Sequence, residues 1–305
     1  MKREKAPAPK KDFGIEDYLH QHKRTIDNYL DTLLPSVKES PSVLHESMRY
    51  SVFAGGKRIR PILALATGEA LQTDSQKLID LACALEMIHT YSLIHDDLPA
   101  MDDDDYRRGK PTSHKQFGEG IAILAGDALL TLAFQCLAEI PTKSKIRVQV
   151  ILNISQAAGS RGGMLAGQVL DLTTQGQTFS AEHLEQIHSF KTGALIRASV
   201  LCSALVSGAS EADQKRLGAF GSNVGLAFQI VDDILDVEGS SQELGKTSGK
   251  DDLNNKATYP DMYGLETSRK LASTLIDQAT EELSFLGTRG EILNKLARFI
   301  SVRRF

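Results

Sequence analysis

The sequence predicts an all-α protein built as one large domain. Three observations carry this. Apolar residues recur at helical spacing along nearly the whole chain, alternating strand-like runs bounded by turns are hard to find, and no composition break or linker divides the 305 residues. A chain of this length can bury a sizeable core, and unbroken helical runs favour a single bundle of roughly ten helices.

The elements follow in order. Asp17 to Leu34 forms a first helix with Leu30, Leu33 and Leu34 on its apolar side, and Pro41 to Phe53 a second, ended by Gly55-Gly56. Pro61 opens the third, because proline suits a first helical turn. Ser75 to about Asp97 reads as one long helix, followed by a loop rich in Pro, Asp and Gly from Leu98 to Phe117. Helices over 121–140 and 143–158 precede an interruption at Arg161-Gly162-Gly163, after which 164–172 resumes. Stretches 181–207 and 211–237 read as continuous helices, 239–256 as a polar loop with three lysines, and 261–286 and 289–301 as the last two helices.

Composition excludes several classes. A net charge of -4 argues against a broad basic surface for nucleic acid. Cys83, Cys136 and Cys202 are far apart without metal-ligand spacing, so they are expected as buried free thiols, in keeping with a cytoplasmic protein. Residues 1–13 are basic, contain two prolines and lack the apolar stretch of a secretory signal; they are expected as a flexible tail before a domain at 14–305. The most apolar later stretch, Ile121 to Ala138, is interrupted by Asp127 and is expected not to span a membrane.

Two acidic clusters carry the chemistry. Asp96, Asp97, Asp102, Asp103, Asp104 and Asp105 put six carboxylates within ten residues at the end of a long helix. They repel one another and oppose the negative end of the helix dipole, so a cation is the natural compensation. Hard carboxylate oxygens without Cys or clustered His suit Mg²⁺. A solvated acidic loop is the plain alternative for this run alone. The second cluster, Asp232, Asp233 and Asp236, lies in a mostly apolar helix, with Gln229, Asp232 and Asp236 on one face. An amphipathic helix facing water is the alternative there.

Cations lie apart from the acids. Gly55-Gly56-Lys57-Arg58-Ile59-Arg60 is a glycine-rich turn entering a helix, where backbone can approach an anion closely. Arg107 and Arg108 directly follow the first acidic run, and Lys191 and Lys246 add further positive charge. Together these describe a site for a metal-bound polyanion and a second, metal-free anion. His89 lies seven residues before Asp96 on nearly the same face, and Gln168 and Asp171 share one side of their helix behind the expected site.

These stretches resemble the bacterial farnesyl diphosphate synthases, within the all-trans short-chain prenyl diphosphate synthase family. The matching segments are GGKRIRP, SLIHDDLPAMDDDDYRRGKPT, GQVLDL, KTGALI, FQIVDDILD, LGKTSGKD and KATYP, in order between residues 55 and 260. The resemblance implies an isoprenoid synthase-like helical bundle around a deep central cavity and a likeness in reaction. Isopentenyl diphosphate would be condensed with dimethylallyl or geranyl diphosphate to a C15 product. Asp96, Asp102 and Asp232 would bind three Mg²⁺ ions (Mn²⁺ as the substitute), supported by Asp97, Asp103 and Asp236. Arg107, Lys191 and Lys246 would grip the allylic diphosphate, with Lys256 also at the substrate. Gly56, Lys57, Arg60, His89 and Arg108 would hold isopentenyl diphosphate, and Thr192 and Gln229 would stabilise the allylic cation. Tyr91 and Ser92, about one turn before Asp96, would limit chain length, Tyr91 as the floor. The family also implies a homodimer.

Geranyl or geranylgeranyl diphosphate synthesis is the nearest alternative, and a terpene cyclase a further one. A silent regulatory subunit of a prenyl synthase and a metal-buffering acidic protein stand outside catalysis. Cyclases usually keep one such acidic motif and lack the GGKRIRP site, silent subunits tend to lose a motif, and a metal buffer leaves the paired cations unexplained.

Overall fold

The computed structural model describes residues 14–174, 180–238 and 258–302. These residues are overwhelmingly helical, as the periodicity predicts. The helices are α1 Ile15–Leu33, α2 Ser42–Val52, α3 Ile59–Ala70, α4 Ile79–Asp96, α5 Ser113–Phe117, α6 Glu119–Glu139, α7 Ser144–Ala158, α8 Met164–Thr173 and α9 Ala181–His188. They continue with α10 Ala194–Val206, α11 Glu211–Glu238, α12 Tyr259–Tyr263, α13 Leu265–Glu282 and α14 Glu291–Val302. Within the loop expected over 98–117, Tyr106–Arg107 and Lys110–Pro111 pair as a minimal antiparallel hairpin before α5. The tail expected over 1–13 lies outside the described residues, as does the loop expected over 239–256.

The centre is α4, which is apolar on almost every side and buried from Leu81 to Ile88. It packs against α1, α3, α6 and α10, and α10 packs in turn on α11. One core cluster joins α4 residues such as Leu81, Leu85 and Ile88 to Ile26, Leu63, Leu129, Val200 and Phe220. A second, smaller cluster gathers Leu184, Ile230, Ile234, Tyr259 and Ala272 where α9, α11, α12 and α13 meet. The acidic end of α4 thus emerges from the main core, and the acidic part of α11 belongs to the second.

Three sequence expectations are refined. Residues 75–97 are a 3₁₀ turn, Ser75–Lys77, followed by α4, because the Asp74 side chain accepts from Gln76 N–H at 3.0 Å and starts its own short turn. The run at 261–286 starts earlier, in α12, whose N-terminus is a capping box of Thr258 and Asp261; Gly264 at φ 77° separates it from α13. The run at 181–207 is broken by a single π-helical turn, Ser189–Gly193, between α9 and α10.

Glu119–Glu139 is long and apolar enough to cross a membrane by length and composition, as is Ala181–Val206. Asp127 is an exposed charge within α6, beside the exposed Ile123 and Leu124, while Ala122, Ala125 and Leu129 are buried. The second stretch is mostly buried within the bundle, as a core helix is.

Candidate active site

The first acidic run folds back onto the helix that it ends. Asp102 N–H donates to the Asp96 carbonyl at 2.9 Å, Asp104 N–H to the Asp97 carbonyl at 3.2 Å, and Asp103 takes a left-handed conformation at φ 48°. Asp102 is thereby brought close to Asp96. Burial pushes the Asp96 carboxyl up to about 6; Lys191 and Arg107 pull it down, and the charges of Asp102 and Asp97 push it up further. Asp97 is 3% exposed and accepts from Arg107 Nε at 2.6 Å and from Nη2 at 2.5 Å. Arg107 also faces Asp104 at 3.5 Å. The loop therefore carries its own counter-charge.

The glycine-rich turn supplies a second cationic wall. Gly55 and Gly56 lie at φ 117° and 115°, a region that glycine enters without strain, and Arg58 follows at φ 54°. Arg58 is buried and pairs with Asp27 at 2.8 Å and Glu86 at 2.7 Å, while bonding the carbonyls of Val52 and Gly55. It is the structural anchor of the turn, which leaves Lys57 exposed and Arg60 half-buried. Arg108 donates to the Gly55 carbonyl, and a side chain at Gly56 would strike its guanidinium, with a Cβ 2.6 Å from Nη1. His89 is held well below its ordinary pKa by burial and then by Arg60, Arg108, Arg107 and Arg58. A neutral imidazole among arginines is suited to an anion.

The π-turn links the two acidic regions. Lys191 Nζ sits 2.6 Å from Asp171 Oδ2 and is close enough to Asp96 to lower its pKa. Thr192 Oγ1 donates to Gln229 Oε1 of α11 at 2.8 Å, and Gln229 Nε2 donates to Asp233 Oδ1 at 3.3 Å. Asp232 and Asp236 lie on the same helix, half-buried and exposed respectively. Gln168, beside Asp171 on α8, is buried with its Nε2 unpartnered in the structure. Lys246 and Lys256 lie outside the described residues.

Sequence reasoning missed the polar cluster behind Gln229. Asp233 Oδ2 accepts from Tyr259 N–H at 3.0 Å and faces His188 Nε2 at 3.6 Å, and the His188 ring stacks on Tyr259 with centroids 5.3 Å apart. Burial pushes Asp233 up to about 8, against the bonds from Tyr259 and Gln229, and pushes His188 down to about 3. Nothing local signals this cluster, since its members come from α9, α11 and α12.

Below the acids, Tyr91 is buried at 4% exposure, its ring edge-on to His95 with centroids 5.7 Å apart. Burial, and then the Asp96 charge, push its phenol up to about 12. Ser92 Oγ donates back to the His89 carbonyl at 2.9 Å.

The donor set fits a hard divalent cation. Asp96, half-buried and crowded by Asp102 and Asp97, holds a proton more tightly than an ordinary carboxyl, the electrostatic deficit that a bound cation removes. Asp103, Asp105 and His114 bring three ligand atoms within 4.8 Å of one another, a further group able to hold a metal. His114 was no part of the sequence reading, and Asp105 is also paired to Lys115 at 2.7 Å. Separately, a cavity of about 430 Å³ opens along the π-turn between α7, α10 and α11. Its lining includes Arg161 and Arg197 and no carboxylate, so it is distinct from the two acidic clusters.

An all-helical bundle that sets clustered carboxylates against several cationic side chains defines a class of enzyme for anionic substrates. The polyprenyl synthetase family model matches residues 41–285. A geranylgeranyl diphosphate synthase of Cyanophora paradoxa is 46% identical over 291 residues, covering 94% of this chain and 96% of that one. A farnesyl diphosphate synthase of Geobacillus stearothermophilus is 44% identical over 293 residues, covering 95% and 98%. Among solved structures, an FPP/GFPP synthase from Zymomonas mobilis superposes with a TM-score of 0.85 at 37% identity, covering 94% of this chain and 99% of that one. The chain belongs to the polyprenyl synthetase family and is a prenyltransferase.

Proposed function

We propose that the protein condenses isopentenyl diphosphate with dimethylallyl and then geranyl diphosphate to give farnesyl diphosphate. The observation that carries this reading is the junction at Lys191 and Thr192. Lys191 acts on the Asp96 carboxyl, while Thr192 holds Gln229 of the helix bearing Asp232 and Asp236.

Asp96, Asp102 and Asp232 would be the principal ligands of three Mg²⁺ ions, with Asp97, Asp103 and Asp236 in support and Mn²⁺ as a substitute. When bound, the metal ions stabilise the negative charge that develops on the departing diphosphate. Arg107, Lys191 and Lys246 would grip the same diphosphate, and Lys256 would contact substrate. The Thr192 hydroxyl and Gln229 amide oxygens face the allylic cation. Gly56, Lys57, Arg60, His89 and Arg108 hold isopentenyl diphosphate, whose double bond attacks that cation. The proton lost afterwards goes to the departed diphosphate, so no protein base is assigned. The reaction requires an apolar lining that excludes water, which would otherwise trap the cation as an alcohol.

The relatives carry both C15 and C20 names. The buried Tyr91 ring, roughly one turn before Asp96, favours the shorter product. Tyr91→Ala is expected to lengthen the main product by at least one C5 unit, read by chromatography after dephosphorylation; an unchanged length removes Tyr91 as the floor. The protein is further proposed to be a cytoplasmic homodimer of one domain over residues 14–305. Exposed apolar residues on neighbouring helices support a self-association face: Ile123 and Leu124 on α6, Val148 and Leu152 on α7. The deciding experiment incubates the purified protein with Mg²⁺, isopentenyl diphosphate and dimethylallyl diphosphate and sizes the products. A C15 product supports the proposal, a C20 product replaces it with geranylgeranyl diphosphate synthesis, and no product favours a silent subunit.

A further inference from the structure

Side-chain bonds explain what Lys191 and Thr192 touch, but not what fixes the backbone that carries them. A π-turn is a locally unfavourable form of helix, so contacts from outside must hold it in register. Two glycines on different helices meet it. A Cβ at Gly167 of α8 would lie 2.2 Å from Lys191 N, 2.6 Å from its Cα and 2.8 Å from its Cβ. A Cβ at Gly225 of α11 would lie 2.7 Å from Gly193 Cα and 3.3 Å from its carbonyl oxygen. Non-bonded carbon atoms settle at about 3.5–4.0 Å, and the obstructing atoms are mostly backbone, which cannot swing aside.

Neither glycine is required by its backbone conformation, since both lie inside helices without a positive φ. Each nonetheless costs its helix about 1 kcal/mol relative to alanine. Close approach is the physical reason left for them. We propose that Gly167 and Gly225 are positioning residues that clamp the π-turn from two helices. They set where Lys191 Nζ stands relative to Asp96 and Asp171, and where Thr192 Oγ1 stands relative to Gln229. The two contacts differ in severity. Relief at Gly167 needs Lys191 to move by roughly 1 Å, and relief at Gly225 needs a smaller shift. A misplacement of about 1 Å at a reacting centre costs on the order of 10²-fold in rate.

This inference deepens the proposed prenyl transfer and rests on Lys191 gripping the allylic diphosphate. The test compares wild type, Gly167→Ala, Gly225→Ala and the control Gly120→Ala, whose added Cβ meets no atom within 4 Å. Each variant is checked by circular dichroism and thermal melting. The expected result is a kcat loss on the order of 10²-fold for Gly167→Ala and a smaller loss for Gly225→Ala, with the control unchanged. The KM for the allylic diphosphate rises in both, while the KM for isopentenyl diphosphate stays at the wild-type value. A fraction of inactive molecules would lower kcat and leave both KM values alone, so folded variants with an unchanged allylic KM overturn the clamp. If Gly167→Ala does not fold, Gly225→Ala decides by the same criterion. Wild type without turnover would overturn the function instead. The clamp is then judged by calorimetric affinity for inorganic pyrophosphate with Mg²⁺, which must weaken in the two clamp variants and not in the control.

Discussion

Asp96-Asp97 and Asp232-Asp233 are both aspartate pairs on helices, yet different forces hold them. At the end of α4 the arrangement is local and ionic. Asp97 is neutralised by Arg107 from the same loop, and Asp96 is left crowded by like charge. On α11 the arrangement is non-local and largely neutral. Asp233 takes bonds from Gln229 and from the Tyr259 backbone, and burial keeps its proton on up to about 8. In each pair the second aspartate is held in the fold by its bonds, and the first is the one proposed to act on the metal-bound substrate. The buried aspartate is the second member in both pairs, but only Asp97 is held by an opposite charge.

Substitutions can break or sharpen this contrast. The largest effect is expected at Asp96 and Asp232. Asp96→Ala and Asp232→Ala should each lower kcat/KM on the order of 10³-fold in the Mg²⁺-dependent condensation, the size seen when a group stabilising developing charge is lost. A loss confined to one of them would show that the two acidic regions do not act on one substrate. Next comes Asp97→Ala, which leaves the half-buried Arg107 without its closest carboxylate. It should destabilise the fold by about 3 kcal/mol in urea titration. A neutral result would mean that Asp104 alone suffices for Arg107.

The smallest effect is expected at Asp233. Because it is mostly protonated near neutral pH without metal, Asp233→Asn should change stability by only about 1 kcal/mol at pH 7. Its signature is instead in the pH profile. The folded-state pKa of Asp233 is raised from 3.8 to about 8, so its contribution is fully present below the unfolded value and is lost as pH rises through the folded one. His188 is lowered from 6.5 to about 3, so its contribution is present above 6.5 and lost as pH falls. The two offset each other between about pH 4 and 6.5, and Asp233 acts without that offset from 6.5 to 8. Metal-free wild type should therefore lose thermal stability across that upper window, and Asp233→Asn should flatten the loss. An unflattened profile would place the titrating group elsewhere.

Much of this site was legible in the sequence. Apolar periodicity gave the helices, because the 3.6-residue repeat is written locally. The acidic runs and the glycine-rich turn were equally visible, since their chemistry depends on residues a few positions apart. Arg58 and Asp233 show where that legibility stops. Each sits inside a recognisable motif and reads like its neighbours, but burial turns it into structural support. His188 carried no signal at all.

The break at Ser189–Gly193 was hidden for the same reason. The local pattern there is helical throughout, and the π-turn is tied to contacts with Gly167 and Gly225 on other helices. The sequence by itself determined the helical class and the two acidic motifs with their accompanying cations, because short-range periodicity and charge spacing suffice for both. Only the tertiary structure decided which charges are neutralised, which aspartates keep their protons and where Lys191 stands. Those outcomes depend on burial and on partners from distant parts of the chain, and no local spacing records them.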